Sequence, residues 1–290
     1  MKNTILVTAI SLLLFSCGRF GNKGNEENKE MRIVCLSKHL TEIMFALDLG
    51  YKIVAVDLSS TYPDSAKLLK TVGYHRALSA EGIISMEPDL VIHSKDIGPE
   101  QVESQLLKTG IKEKIFGAAN TIDSAKLLIK ELGDYFGAGS KADSIIKKMD
   151  NDLSLATRKV TEKQITDTPS VMIIHFGRAN NVYFVMSGRN GAGDKMIKMA
   201  GGKTAHYDAK GARQISAEAV AAANPDIIIA TDYGFDQMGN MDKFIIGVPG
   251  VSLTNAAKNK RIYRFEEHDL IYFGPRTGEN ILKLFNLIHP

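Results

Sequence analysis

Short apolar runs alternate along the chain with segments of helical periodicity. The β-branched runs "RIVCL" (32–36) and "KIVAV" (52–56) flank "HLTEIMFALDLG", in which apolar residues recur at helical spacing and Gly50 marks the stop. This order predicts a strand, a helix and a strand. The same pattern predicts further strands in "DLVIHS", "VMIIHF", "DIIIAT" and "RIYRF", and helices in "GAGDKMIKMAGG" and "GENILKLFNLI". We therefore expect an α/β fold built on small sheets.

One phrase of the sequence occurs twice. "LSAEGIISMEPDLVIHS" (78–94) returns as "ISAEAVAAANPDIIIAT" (215–231). The Ser-Ala-Glu and Pro-Asp segments recur at the same offset between the two copies. In each copy the Ser is a helix N-cap candidate, the Glu lies in the first turn, and the Pro ends the helix before a buried strand. The offset is too long for a solenoid repeat, so the repetition predicts two similar lobes.

A long helical pattern separates the two copies. "SKADSIIKKMDNDLSLATRKVTEK" (140–163) contains no Pro or Gly, and its sparse apolar residues lean to one side. It is either an ordinary surface helix or a stiff rod of roughly 35 Å, at about 1.5 Å per residue, joining the lobes. The predicted organisation is a signal peptide at 1–16, a tether at 17–30, an N-terminal lobe at 31–137, an interlobe helix at 138–165 and a C-terminal lobe at 166–290.

The N-terminal segment has the features of an export signal. Lys2 precedes the apolar run "ILVTAISLLLF", which is too short to span a membrane comfortably. The following "LLFSCG" resembles a bacterial lipobox, which implies cleavage before Cys17 and a lipid on that residue. An ordinary signal peptide that contains a Cys is the alternative. The polar "GRFGNKGNEENKE" after it lacks the apolar residues of a core and is typical of a tether.

Composition narrows the functional classes. The chain has two Cys, so lipidation of Cys17 would leave Cys35 without a disulfide partner, and the fold must rest on its core. The formal net charge is +3, and acidic and basic residues are interspersed along the chain. The sequence therefore lacks the basic stripe that is typical of a nucleic-acid-binding protein. The sequence lacks a G-x-S-x-G elbow, an H-E-x-x-H motif, a P-loop and a G-x-G-x-x-G segment after a strand. An exported α/β enzyme is therefore the less favoured class.

Taken together, these features resemble the substrate-binding proteins of bacterial ABC importers. The resemblance runs from "RIVCLSKHLTEIMFALDLG" to "YFGPRTGENILKLF" and is to the cluster whose lobes are joined by one long helix. It implies two Rossmann-like lobes with a ligand cleft between them and no enzymatic activity. It also implies a monomer in the periplasm of a diderm bacterium, held at a membrane by its lipid alone.

The cargo of that cluster is cobalamin, a ferric siderophore or haem. "TYPDSAKLLKTVGYHRALSAEG" (61–82) is similar to the haem-binding branch, whose members carry Val-Gly-Tyr-x-Arg just before Leu-Ser-Ala-Glu-Gly. The resemblance therefore implies haem as the transported ligand, delivered to an inner-membrane permease. The same scaffold carrying cobalamin or a ferric siderophore remains the alternative.

The resemblance also assigns roles to residues. It implies Tyr74 as the iron ligand and Arg76 as the cation that stabilises its phenolate, since a phenol has a reference pKa near 10. Arg213 stands before the second repeat as Arg76 stands before the first, and we expect it to meet a propionate or the open haem face. Glu81 and Glu218 are the expected pair that docks on Arg residues of the permease.

Further candidates for haem contact have weaker support. They are Lys38 and His39 after the first strand, Tyr62 in "TYPDS", His75 beside Tyr74, His175 at the end of "VMIIH", and Arg276 in "FGPRTGE".

Overall fold

The chain folds into two α/β lobes, each built on its own sheet. This computed structural model describes residues 30–163, 168–177, 182–186, 188, 190–205, 213–214 and 216–290. The predicted signal peptide, Cys17 and the tether up to residue 29 lie outside the described residues. In the described part of the chain, no helix is both long and apolar enough to cross a bilayer.

The first lobe contains a parallel sheet and a separate hairpin. Its strands are β1 Ile33–Cys35, β2 Ile53–Val56, β3 Lys70–Thr71, β4 Gly73–Tyr74, β5 Ala77–Leu78, β6 Leu90–His93 and β7 Lys112–Ile115. The sheet order is β3-β2-β1-β6-β7, while β4 and β5 pair antiparallel apart from it. Its helices are α1 Lys38–Ala46, α2 Ala80–Ile84, α3 Gln101–Thr109 and α4 Ile122–Tyr135, with 3-10 turns at Gly50–Lys52 and Asp64–Leu68.

The second lobe contains a mixed sheet. Its strands are β8 Ser170–Gly177, β9 Val182–Val185, β10 Lys203–Thr204, β11 Arg213–Gln214, β12 Ile227–Thr231 and β13 Ile262–Phe265. The order is β11-β9-β8-β12-β13, with β10 also beside β8; β9 runs antiparallel to both its neighbours. Its helices are α6 Ala192–Met199, α7 Ala217–Ala223, α8 Asp232–Met238, α9 Met241–Gly247, α10 Asn255–Lys258, α11 Glu267–Ile271 and α12 Thr277–Ile288, with a 3-10 turn at Val251–Leu253.

The two sequence repeats lie in different sheets, as predicted. In each, the Ser caps the helix: Ser79 Oγ accepts a hydrogen bond from the Gly82 amide at 3.4 Å, and Ser216 Oγ accepts one from the Ala219 amide at 3.2 Å. The strand that follows, β6 or β12, is fully buried. A capped helix ahead of a buried strand is thus the shared unit of both lobes.

A single helix, α5 (Gly139–Glu162), follows the first lobe and precedes the second. Its 24 residues correspond to a rod of about 36 Å. Its buried residues Ala142, Met149 and Ala156 recur every seven positions and form the stripe that contacts α4 and α12. A Cβ on Gly133 of α4 would lie 2.5 Å from that of Ala142, so the missing side chain permits this close packing.

Candidate ligand-binding cleft

A cavity of about 1040 Å³ is bordered by segments of both lobes. This is the upper end of the usual size for a small-molecule site, about 300–1,000 Å³. The first lobe contributes residues that follow β1, β6 and β7, at the carboxyl edge of its sheet, where open α/β sheets commonly bind ligands. The second lobe contributes the start of α6 and the end of α11. The lining comprises residues 36–39, 59, 75–76, 94–96, 115–120, 190–192, 195 and 271–272.

The β4–β5 hairpin forms one rim of the cavity. His75 and Arg76 are its two turn residues, and both line the cavity. The His75 ring lies between two carboxylates, with Nδ1 3.3 Å from Asp57 and Nε2 3.5 Å from Asp96. Burial would raise the pKa of Asp57, but hydrogen bonds from His75 and two serines outweigh it and hold that pKa below its usual range. His75 therefore fastens the hairpin tip to the wall of the first lobe.

Tyr74 lies on β4 directly before that turn. Its side chain is 39% exposed, and its ring centroid is 4.4 Å from that of His75. Tyr74 contacts His75, which lines the cavity, but Tyr74 itself is not a lining residue. A large ligand that enters over the hairpin tip would meet an accessible phenol.

Lys38 and His39 at the start of α1 also line the cavity, together with Tyr272. Lys38 lies 4.2 Å above the Tyr272 ring and forms a 3.1 Å ion pair with Glu267 of the second lobe. Burial would lower the pKa of Lys38, but Tyr272 and Glu267 outweigh it and raise that pKa. Burial also raises the pKa of the Tyr272 phenol, against the effect of Lys38. Lys38 therefore joins the two lobes at the cleft as a cation.

His39 is held as a neutral imidazole. Burial is the main reason that its pKa falls to about 4. Its Nδ1 lies 2.8 Å from Ser37 Oγ and its Nε2 3.0 Å from Ser94 Oγ, so both ring nitrogens have hydroxyl partners. At neutral pH it presents a fixed, uncharged ring, which stacks on Tyr272 with centroids 6.2 Å apart.

Tyr62 and Arg276 belong to a separate group, built on buried Glu42, His268 and Asp269, which we call the interlobe cluster: Glu42, Tyr62, His268, Asp269 and Arg276. Arg276 Nε donates to Glu42 at 2.8 Å, and another of its nitrogens lies 2.6 Å from Asp269. The guanidinium stacks 3.4 Å above the Tyr62 ring, and His268 Nε2 hydrogen-bonds Glu42. Neither Tyr62 nor Arg276 lines the cavity, and their contacts instead tie α1 to α11 and α12.

Two other predicted residues, His175 and Arg213, belong to strands of the second lobe. His175 on β8 places Nδ1 3.1 Å from Thr231 Oγ1 and does not line it. Arg213 begins β11, but its side chain lies outside what the structure describes. The charged lining residues in the described ranges are Lys38, Arg76, Lys95, Lys195 and Asp96. The cleft is therefore predominantly cationic.

The sequence pattern of the periplasmic binding protein family matches residues 33–268. The chain belongs to the periplasmic binding protein family. Members of this family are substrate-binding proteins of transport systems. The cleft between two α/β lobes is the architecture that such a role needs.

Three relatives show the range of this family. An uncharacterised ABC transporter substrate-binding lipoprotein of Bacillus subtilis is 30% identical, with 89% of this chain and 80% of that protein aligned. A vitamin B12-binding protein of Yersinia pestis is 27% identical over 69% of each chain. The solved structure of a periplasmic haem-binding protein from Roseiflexus, in its apo form, superimposes with a TM-score of 0.81 at 32% identity, covering 90% of this chain and 98% of that one.

In this binding-protein fold, Glu81 and Glu218 occupy matching places. Each is exposed in the first turn of its helix, α2 in one lobe and α7 in the other. Within the described part of the chain, neither carboxylate has an ion-pair partner.

Tyr272 was not predicted from the sequence. It precedes "FGPRTGE", a segment noted for its Arg, but nothing local marks it as a cleft residue. It lines the cavity because the end of α11 meets the start of α1, far away in the chain.

Proposed function

We propose that this protein captures haem in the cleft and delivers it to the permease of an ABC importer. The observation that carries the proposal is the β4–β5 hairpin, in which Arg76 lines a cationic cavity large enough for a porphyrin and the accessible Tyr74 directly precedes the lining residue His75. The likeness to a solved haem-binding protein across nearly the whole chain supports the same cargo.

In this proposal Tyr74 supplies the axial ligand of ferric haem. A phenolate needs the iron charge and a nearby cation to form at neutral pH, and Arg76, two residues along the same turn, is always charged. His75 has a different task. Because its ring nitrogens face Asp57 and Asp96, it anchors the hairpin and leaves the iron to its neighbour.

The haem propionates need cations at the cleft. Lys95 and Lys195 line the cavity from opposite lobes and suit charge-assisted hydrogen bonds to carboxylates. Lys38 is already engaged with Glu267, so its role is to hold the lobes together. Arg213 remains our candidate for a propionate or for the open face of the haem.

Cobalamin is the second candidate cargo, since one relative is named a vitamin B12-binding protein. Its corrin carries neutral amides in place of the two propionates and has no need of a protein phenolate. A cleft with several cations and a phenol at its rim fits the anionic porphyrin better.

Delivery requires contact with the permease. We propose that Glu81 and Glu218 pair with Arg residues of its two subunits, because each is exposed at the matching position of its own lobe. Charges held far apart on two lobes favour correct orientation and fast encounter more than affinity. We further propose a monomer, lipidated at Cys17 and exported to the periplasm, where the lipid is its only membrane attachment.

The decisive experiment is a titration of residues 31–290 with ferric haem, followed by visible spectroscopy. We expect one strong site with the charge-transfer bands of a ferric phenolate. Tyr74→Phe should abolish those bands, whereas Tyr51→Phe, a substitution of an exposed Tyr outside the cavity lining, should not. If the bands survive in Tyr74→Phe but disappear in Tyr272→Phe, the ligand is Tyr272. Binding of cyanocobalamin in preference to haem would reject the proposed cargo.

A further inference from the structure

Three metal-ligand side chains converge behind the cleft wall, outside the site described above. They are His93 at the end of β6, Glu113 on the adjacent strand β7, and Glu103 on α3. One ligand atom from each lies within 4.8 Å of the others. Val91 of β6 is opposite Glu113 in the sheet, so Glu113 and His93 share one face of it. Strand pairing and helix packing therefore assemble the group from three elements.

The hydrogen-bond geometry of His93 suits a metal ligand. The residue is fully buried, and its Nδ1 lies 2.5 Å from the carbonyl oxygen of Ser94, which can only accept a hydrogen bond. Nδ1 therefore donates to that carbonyl, which leaves Nε2 as the nitrogen available to a metal ion. Nε2 lies 2.6 Å from Glu113 Oε1, so a carboxylate stands directly beside it.

The surrounding charge favours a divalent cation. Glu103 is half-buried and has no cationic or hydrogen-bond partner in the described ranges. A divalent ion would balance both carboxylates.

We propose that His93, Glu103 and Glu113 form a resident site for a divalent first-row transition metal of the Zn²⁺ class. One imidazole nitrogen and two carboxylate oxygens suit Zn²⁺, whereas Mg²⁺ and Ca²⁺ prefer all-oxygen sites. The bond from Nδ1 to a backbone carbonyl is the usual support of a metal-bound His. This inference is independent of the proposed cargo.

Such a site would stiffen the cleft. Ser94 bonds His93 through its carbonyl and His39 through its hydroxyl, so it connects the proposed metal ligand to the cavity lining. The loop that Ser94 begins also carries Asp96, the partner of His75 in the hairpin turn. A metal ion at His93 would therefore fix the segment that holds the hairpin.

The test is calorimetric titration of tag-free, haem-free residues 31–290 with Zn²⁺. We expect one tight equivalent, with affinity reduced more than tenfold in Glu103→Gln and in Glu113→Gln. Glu100→Gln, which removes an exposed carboxylate just before α3, is the matched control and should bind as the wild type does. Circular dichroism establishes that each variant is folded.

A second readout is the visible spectrum with Co²⁺, which should show ligand-field bands that Glu103→Gln loses. Absence of a stoichiometric Zn²⁺ site would overturn the proposal and leave His93 and Glu113 as a hydrogen-bonded pair. Zn²⁺ binding that is equal in Glu103→Gln and Glu100→Gln would also overturn it, since the ion would then sit elsewhere.

Discussion

Arg276→Ala should be among the most destabilising single changes in the mature protein. Arg276 is the cation that Glu42 and Asp269 share in the interlobe cluster, and each of these acidic residues is 5% exposed. Its removal leaves Asp269 without a cation and Glu42 with His268 alone. His268 Nδ1 is itself buried with no hydrogen-bond partner in the described part of the chain, so little can rearrange to compensate.

The magnitude follows from burial. Breaking a buried ion pair by removing one partner costs about 3–5 kcal/mol, because the remaining charge stays desolvated. Loss of the cation–π contact with Tyr62 adds roughly 0.5–2 kcal/mol. We therefore expect Arg276→Ala to lower the free energy of unfolding by at least about 3 kcal/mol, measured by urea denaturation of residues 31–290.

Arg264→Ala is the matched control. Arg264 also contacts a carboxylate through two nitrogens, at 2.7 and 2.9 Å from Asp236, but its side chain is 41% exposed. Exposed pairs contribute about 0–1 kcal/mol, so this variant should lose little. If the two variants lost equal stability, the argument from burial would be refuted.

The cluster also predicts how stability depends on pH. Burial would raise the pKa of Glu42, but His268 and Arg276 outweigh it and hold that pKa below its usual value. The unfolded chain therefore binds more protons at acidic pH, and this contribution is complete above about pH 4.3 and is lost as pH falls through the folded-state pKa. The stability difference between wild type and Glu42→Gln should shrink on acidification. A difference that stayed constant from pH 7 to pH 3 would contradict the assignment.

The remaining predictions concern docking, packing and the anchor. Glu81→Ala and Glu218→Ala should each reduce haem uptake through the cognate permease without changing haem affinity, and wild-type uptake by the double variant would exclude the docking role. Gly278→Ala should cost about 1–3 kcal/mol, because its Cβ would lie 2.9 Å from a backbone nitrogen of α5. Gly117→Ala, with no atom within 4 Å of its Cβ, is the control in the same denaturation assay. Cys17→Ala should abolish lipid labelling and membrane attachment, and an unchanged processed mass would place the anchor elsewhere.

The sequence by itself determined the local units of the fold. Strand and helix periodicity, the N-caps Ser79 and Ser216, and the uninterrupted helical pattern of α5 all depend on residues near one another in the chain. The duplicated phrase predicted two sheets because each copy contains a complete helix and strand. The place of the β4–β5 hairpin before the first copy was likewise marked by its motif, although iron ligation by Tyr74 stays a prediction.

Only the tertiary structure decided which side chains meet. Arg276 was a candidate for haem contact by its motif, yet it precedes α12 where its guanidinium meets Glu42 of α1, and it does not line the cavity. Tyr272 lines the cleft, and His93 lies near two carboxylates, although no local pattern marks Tyr272 as a cleft residue or shows which side chains His93 meets. A local pattern reflects the conformation of a few consecutive residues. The cleft and the interlobe cluster depend instead on how distant segments pack, since residues of α1 meet residues of α11 and Arg276, more than 200 positions away in the chain.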